Sequence, residues 1–387
     1  MMRYLFSKNR ISLFKVLAAF CAVSAVSCSG NSADTDIDTV SPNMVVRFTV
    51  QSSLSGSSAE AGGSGGYEDG AEIESYIDVD NGCRVLFFSV NNTFLGLLNR
   101  PTVAAISGAG YKQYSLYGTP PETLPADFKI MIAANWPDMS AVDNAEPGAT
   151  TIDDICHNLA SSFDFTAGTK LNLENGPLIP FFGIREYTGI NIVPGTTTLP
   201  ETITMLRALA KVEVLFDSDA DDIPASVRLC GFNIRGYCAP MGVYSQNDYG
   251  QGIDWDNDYL RRLHLISADN NNEPGAGRRV VGLEPIKTEK GYCFTTYIPE
   301  YRNMTADRKP ASDEACIEIT LASQSSQEEP FRLYFAEYAG STSSNTSLPR
   351  YNIERNNIYR FNIKLHCGKL IITSRPWNYR PQPEINA

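Results

Sequence analysis

Histidine is scarce in this chain of 387 residues. There are three, His157, His264 and His366, and none stands in metal-ligand spacing to another. C-x-x-C pairs are absent, as are phosphate-cradling glycine loops that open a helix and basic stretches interleaved with aromatics. Positive charge is short as well: 32 Lys and Arg face 44 Asp and Glu, for a net charge of −12. Such a balance repels nucleic acid and anionic membrane surfaces. The few literal motif matches fail on context. "GGSGG" at Gly62 to Gly66 spells a nucleophile elbow, but no strand precedes it and no helix follows, so it reads as low-complexity loop. "DSDADD" from Asp217 and "DWDNDY" from Asp254 have the alternating carboxylates of a calcium loop. Neither has glycine at the sixth place or glutamate at the twelfth, where Arg228 and Leu265 stand, and both read as solvated acidic turns. The expectation is a protein with no catalytic residues, no metal site and no cofactor, and not an enzyme.

Long hydrophobic runs are also lacking. The run from Val16 to Val26 falls well short of the ~20 residues that cross a bilayer, and it is preceded by Arg3, Lys8, Arg10 and Lys15 with no acidic residue before Cys28. That is the pattern of an export signal over residues 1–27. With Ala25, Val26 and Ser27 leading into Cys28 and a polar tether over 28–43, the border resembles a bacterial lipobox, which implies lipidation at Cys28 and permanent anchoring by acyl chains. The remainder carries 28 basic and 44 acidic residues, a net charge of −16. Beyond Cys21 and Cys28 seven cysteines remain (Cys83, Cys156, Cys230, Cys238, Cys293, Cys316 and Cys367), an odd number that cannot pair completely. Most read as small buried hydrophobes, and Cys230 with Cys238 is the close pair to consider for a disulfide.

What the chain does have is alternation with a period of two. In "NMVVRFTV" Met44, Val46, Phe48 and Val50 share a face. In "NNIYRFNIKLHC" Tyr359, Phe361, Ile363 and Leu365 point one way and Arg360, Asn362 and Lys364 the other. "RVLFFSV", "FKIMIAAN", "KVEVLFD", "CIEITLA" and "FRLYFAEY" repeat the signal. In "RALAKVEVLF" Ala208, Ala210, Val212, Val214 and Phe216 form one stripe, with the small alanines suited to close approach of a second sheet. With 22 prolines and 29 glycines between the strands, the fold class expected is all-β, a sandwich with long surface loops. One helix is predicted in "TTIDDICHNLASSF", with Thr151 as N-cap and Asp153 and Asp154 in the first turn. The length predicts two domains. "QSSLSGSSAEAGGSGGYEDG" reads as a flexible loop over 51–70, and a joint at "IVPGTTTLPET" divides an N-terminal domain, 28–200, from a C-terminal domain, 201–387, that ends in an extension.

The order of these landmarks resembles the fimbrillin superfamily of Bacteroidota, the subunits of type V pili. The lipobox cysteine, "MVVRFTV", "ESYIDVDNGCRVLFFSVNNTFLG", "DFKIMIAANWP", "LIPFFGI", "LRALAKVEV" and "ERNNIYRFNI" follow in the sequence typical of such chains, and the last two are the most specific. The resemblance implies two transthyretin-like β-sandwich domains, a lipoprotein precursor carried to the cell outer membrane, and assembly with other fimbrial subunits by β-strand exchange. The displaced strand would be the first, carrying Met44, Val46, Phe48 and Val50. The donor would come from "KLIITSRPWNYRPQPEINA", where Leu370, Ile371 and Ile372 suit a strand and the proline-rich end after Arg375 does not suit a central one. In polymerising members a cut after arginine in the loop that follows the first strand releases that strand with its lipid. Here no Lys or Arg stands between Arg47 and Arg84, so the expected role includes that of an anchor subunit that keeps its lipid. The alternative reading is a surface lipoprotein that binds glycans through exposed aromatics such as Trp136, Trp255 and Trp377.

Overall fold

A computed structural model of the chain describes residues 44–51, 72–107, 113–162, 171–174, 176–217, 223–230, 280–298, 303, 309–310, 314–336, 338–341, 353, 358–366 and 369–377. The elements run β1 (Met44–Gln51), β2 (Cys83–Ser89), β3 (Phe94–Leu97), β4 (Asn99–Ser107), β5 (Gln113–Thr119), β6 (Phe128–Ala134), α1 (Ser140–Asp143), α2 (Ile152–Ser162), β7 (Phe181–Tyr187), β8 (Gly195–Thr204) and β9 (Leu206–Arg207). They continue with β10 (Ala210–Asp217), β11 (Pro224–Cys230), β12 (Val280–Leu283), β13 (Pro285–Thr288), β14 (Gly291–Ile298), β15 (Cys316–Leu321), β16 (Phe331–Tyr334), β17 (Tyr338–Ser341), β18 (Ile358–His366) and β19 (Lys369–Trp377).

These strands build four sheets. Two of them, in the orders β4-β5-β1-β8 and β3-β2-β6-β7-β9, turn their apolar faces into one buried cluster that reaches from Val46 to Leu209. The other two, β13-β14-β10-β18-β19-β17 and β12-β11-β15-β16, share a second cluster from Ala210 to Ile372. The chain is therefore all-β with paired sheets, as its alternation predicts. Residues 195–204, which begin inside the expected joint, form β8, and the change from one cluster to the next falls between Leu209 and Ala210.

Alternation survives best in β18, where Tyr359, Phe361, Ile363 and Leu365 are buried while Asn362, Lys364 and His366 are exposed. The strands β2, β6 and β7 differ: Val85, Leu86, Phe87 and Phe88 are all buried, so their sheet is covered on both faces. Helix α2 adds to that cover, contributing Ile152, Ile155, Cys156 and Leu159 at helical spacing to the first cluster. Its start follows the expectation. The Thr151 hydroxyl accepts from the Asp154 amide at 3.2 Å and the Asp154 carboxylate accepts from the Thr151 amide at 2.9 Å, a reciprocal cap. At the end of β6, Asn135 adopts a left-handed backbone (φ 60°), which asparagine tolerates. From there its side chain donates to the carbonyls of Tyr76 and Ile179 and accepts from the Asp78 amide. The adjacent Trp136 is only 4% exposed and donates its indole N–H to the Phe181 carbonyl at 2.9 Å. This corrects its reading as an exposed aromatic: Trp136 is a core residue and offers no face to a glycan.

Candidate functional site

The residues most open to a functional reading are those of β1. It lies inside its sheet, antiparallel to β5 (Val46 opposite Gly118 through Gln51 opposite Gln113) and parallel to β8 (Met44 opposite Gly195 through Gln51 opposite Thr204). A register shift interrupts the pairing with β8 between Arg47 and Thr49. Val46, Phe48 and Val50 are buried, Met44 is half-buried, and Arg47 points outward, where its Nε donates to the Ser115 hydroxyl at 3.0 Å. Gly118 opposite Val46 is set by crowding: a Cβ there would meet Leu98 Cγ at 2.7 Å and the Asn99 carbonyl at 2.8 Å. Among the described residues, the contact of Arg47 with Ser115 is the side-chain hydrogen bond that β1 makes. The strand is held by main-chain bonds on two edges and by three apolar side chains, an arrangement that demands little of sequence beyond alternation.

The chain on the far side of residues 52–71 is tied down by bonds to residues outside β1. The Tyr114 hydroxyl accepts from the Ile77 amide and donates to the Ser75 carbonyl, each at 3.1 Å. Burial pushes the Tyr114 pKa up to about 12, so it stays a neutral donor. Glu74, in the short 3-10 turn Glu72–Glu74, is buried against the second pair of sheets. Its carboxylate meets Lys211 Nζ at 2.8 Å and accepts from the Tyr297 hydroxyl, and its backbone carbonyl accepts from Arg207 Nε. Lys211 also meets Glu213 at 2.8 Å, and Glu213 meets Arg360 at 2.6 Å. Burial works against the charge of Lys211, but attraction from Glu74 and Glu213 and hydrogen bonds to both outweigh it, and its pKa is raised. Burial likewise opposes ionisation of Glu213, and Lys211 and Arg360 overcome it and hold its carboxyl below the ordinary range.

The other end of the chain is also placed. Leu370, Ile371 and Ile372 lie in β19, opposite Leu365, Lys364 and Ile363 of β18, and β17 flanks β19 at Ile372 to Ser374. Leu370 and Ile372 are buried in the second cluster, while Ile371 is 38% exposed and faces an open groove with Leu215, Tyr292, Asn362 and Lys364. The candidate donor residues thus already complete a sheet of their own chain. β19 runs on through Pro376, opposite Tyr359, and Trp377. Among the described residues, the pairing of β17 with β19 stops at Ser374, two residues before Pro376.

Cys28, the expected signal, the tether, His264, Trp255, Cys238, Cys367, the loop 52–70 with its "GGSGG" and the acidic run from Asp254 lie outside the described residues. His157 falls in α2 and His366 is exposed on β18. Asp217 closes β10 at the surface. Among the described residues no three His, Cys, Asp or Glu side chains are grouped to hold a metal. Two features escape the sequence pattern, because both join segments far apart in the chain: the buried cluster around Glu74, and the meeting of Cys230 with Cys316 across β11 and β15.

No protein-family model matches the chain, and no curated protein matches it in sequence. Among solved structures, the tip fimbrial protein Mfa3 from Porphyromonas gingivalis, with C-terminal truncation, is similar with a TM-score of 0.50 at 15% identity, over 86% of this chain and 99% of that one. A fimbrial assembly protein from Parabacteroides distasonis gives a TM-score of 0.42 at 13% identity, over 86% and 99%. The fimbrial anchor protein Mfa2 from Porphyromonas gingivalis gives 0.34 at 11% identity, over 86% and 97%. At such identities the likeness is one of fold, and the chain shares the fold of the Mfa3 structure.

Proposed function

We propose that the chain is a structural subunit of a fimbrium, lipid-anchored through Cys28 at the cell outer membrane and joined to other subunits by strand exchange, with β1 as the exchangeable strand. The two buried clusters are then the cores of two sandwich domains, and no catalysis is involved. The observation that carries this reading is the way β1 is held. An internal strand fixed by main-chain bonds and three alternate apolar side chains can be replaced by any strand of like pattern, while residues 74–78 stay pinned by Tyr114, Lys211 and Arg207. The fold shared with a tip fimbrial protein supports the same reading. The donor is the C-terminal run that begins with β19, whose Leu370 and Ile372 have the two-residue spacing of Val46 and Phe48. To donate, that run must give up its place beside β18, so exchange trades one sheet for another.

The absence of Lys and Arg between Arg47 and Arg84, and the pairing of the Arg47 backbone on both edges, with Tyr117 and with Thr198, favour an anchor role in which β1 stays in place until the loop after it is cut. A lipid-free chain beginning at Ser29, with a site-specific protease sequence placed among residues 56–66, tests the exchange. Cutting should allow ladders on a denaturing gel run without boiling, and an excess of a peptide of residues 42–51 should suppress them. A cut chain that sheds β1 and stays monomeric would overturn the proposal.

A further inference from the structure

β11 and β15 are antiparallel neighbours, and their register sets Arg228 opposite Glu318, Leu229 opposite Ile317 and Cys230 opposite Cys316. Leu229 and Ile317 belong to the second buried cluster, which puts Cys230, Cys316, Arg228 and Glu318 together on the other face of the sheet. Both cysteines are buried nonetheless, at 1% and 0% exposure, and neither is in a disulfide. Residues directly opposite on antiparallel strands have Cα atoms about 4.5–5.5 Å apart, inside the ~4.4–6.8 Å that a disulfide spans. On the same face the Glu318 carboxylate is held by Arg228 and Arg332, each at 3.1 Å.

We propose that Cys230 and Cys316 are an oxidisable pair that closes into a cross-strand disulfide between β11 and β15. The sequence alone points elsewhere, to Cys230 with Cys238, since it ranks pairs by nearness along the chain. The oxidant is a disulfide-bearing thiol carrier such as oxidised glutathione. One cysteine thiolate attacks a sulfur of the carrier disulfide, forming a mixed disulfide and expelling one carrier thiolate. The second cysteine thiolate then attacks the mixed disulfide at the protein sulfur and expels the other. Two protein thiols are oxidised, one carrier disulfide is reduced to two thiols, and the two protons pass to those thiols. In the folded chain the neighbouring Cys316, then burial and Glu318, suppress ionisation of Cys230, so the bond forms while the sheet is assembling and is shielded once the sheet has closed. It encloses β12, β13 and β14 in a long covalent ring, the case in which a cross-link restricts the unfolded chain most.

The test is to refold the reduced chain in a mixture of reduced and oxidised glutathione, alkylate the remaining thiols under denaturing conditions, and map tryptic peptides without reduction. Arg235 separates Cys230 from Cys238, so the two candidate partners are told apart. The expected result is a peptide pair joining Cys230 to Cys316 and a melting temperature raised by about 5–10 °C over the reduced chain. Cys230→Ala, Cys316→Ala and the double variant should each melt at the same temperature with and without the oxidant. Cys230 joined to Cys238 or any other cysteine would overturn the proposal, as would full alkylation of both Cys230 and Cys316 in the oxidised, refolded chain.

Discussion

Lys211 and Glu213 alternate with Ala210, Val212 and Val214 along β10, yet they are buried too, because Glu74 from the first half of the chain and Arg360 from β18 close over them. The pH dependence of such a cluster follows from its two shifts. The stabilisation from Glu213 is present above the ordinary carboxylate value of 4.5 and is lost as pH falls through its lowered folded-state pKa. The stabilisation from Lys211 is present below 10.5 and is lost as pH rises through its raised one. The melting temperature should therefore be flat between those values and fall on either side. Glu213→Gln should destabilise the chain at neutral pH by about 3 kcal/mol, the lower end for breaking a buried pair since Lys211 keeps Glu74, and should flatten the acid limb. Thermal melts of both chains from pH 3 to 8 check this, and acid limbs that run parallel would refute it. The alternation in "RALAKVEVLF" reveals the stripe from Ala208 to Phe216. It cannot reveal that the residues between are buried, because their partners are remote in sequence. The burial of Trp136 is hidden for a related reason: the carbonyl that takes its indole proton belongs to Phe181, on β7.

At the scale of the element, β1 and β18 were legible because each buries one face only, and the pattern then records burial directly. The strands β2, β6 and β7 show near-continuous apolar runs because α2 and the facing sheet cover both sides. Strand β8 resists reading. Its threonines and Pro200 suggest a joint, and its place beside β1 rests on main-chain pairing, to which side-chain pattern is blind. The same feature makes β1 testable by contrast. Phe48→Ala removes a fully buried ring and should cost about 3–5 kcal/mol, whereas Arg47→Ala at the exposed neighbouring position should change stability by less than about 0.5 kcal/mol. Denaturant unfolding of the two variants measures the difference. Equal losses would mean that β1 is not seated by its apolar face.

For the molecule as a whole, the proposed anchoring makes one demand on the N-terminus. Cys28→Ala should leave the protein soluble or as an uncleaved precursor, and metabolic labelling with palmitate should no longer mark it; label still entering the variant would refute lipidation at Cys28. Mass spectrometry of the surface-exposed parent should find the lipid-bearing N-terminus retained, and a chain beginning at Phe48 would place it instead among subunits cut after arginine. Under the anchor reading the position of β1 acquires a mechanical meaning. A filament dragged by flow pulls against its membrane tether, and that tension enters the fold at Met44 and runs along the axis of a strand bonded on both edges, to β5 on one side and β8 on the other. Load applied in that direction shears the two ladders together instead of peeling them one bond at a time, so the grip of the fold on its tether draws on every main-chain bond of the first strand at once.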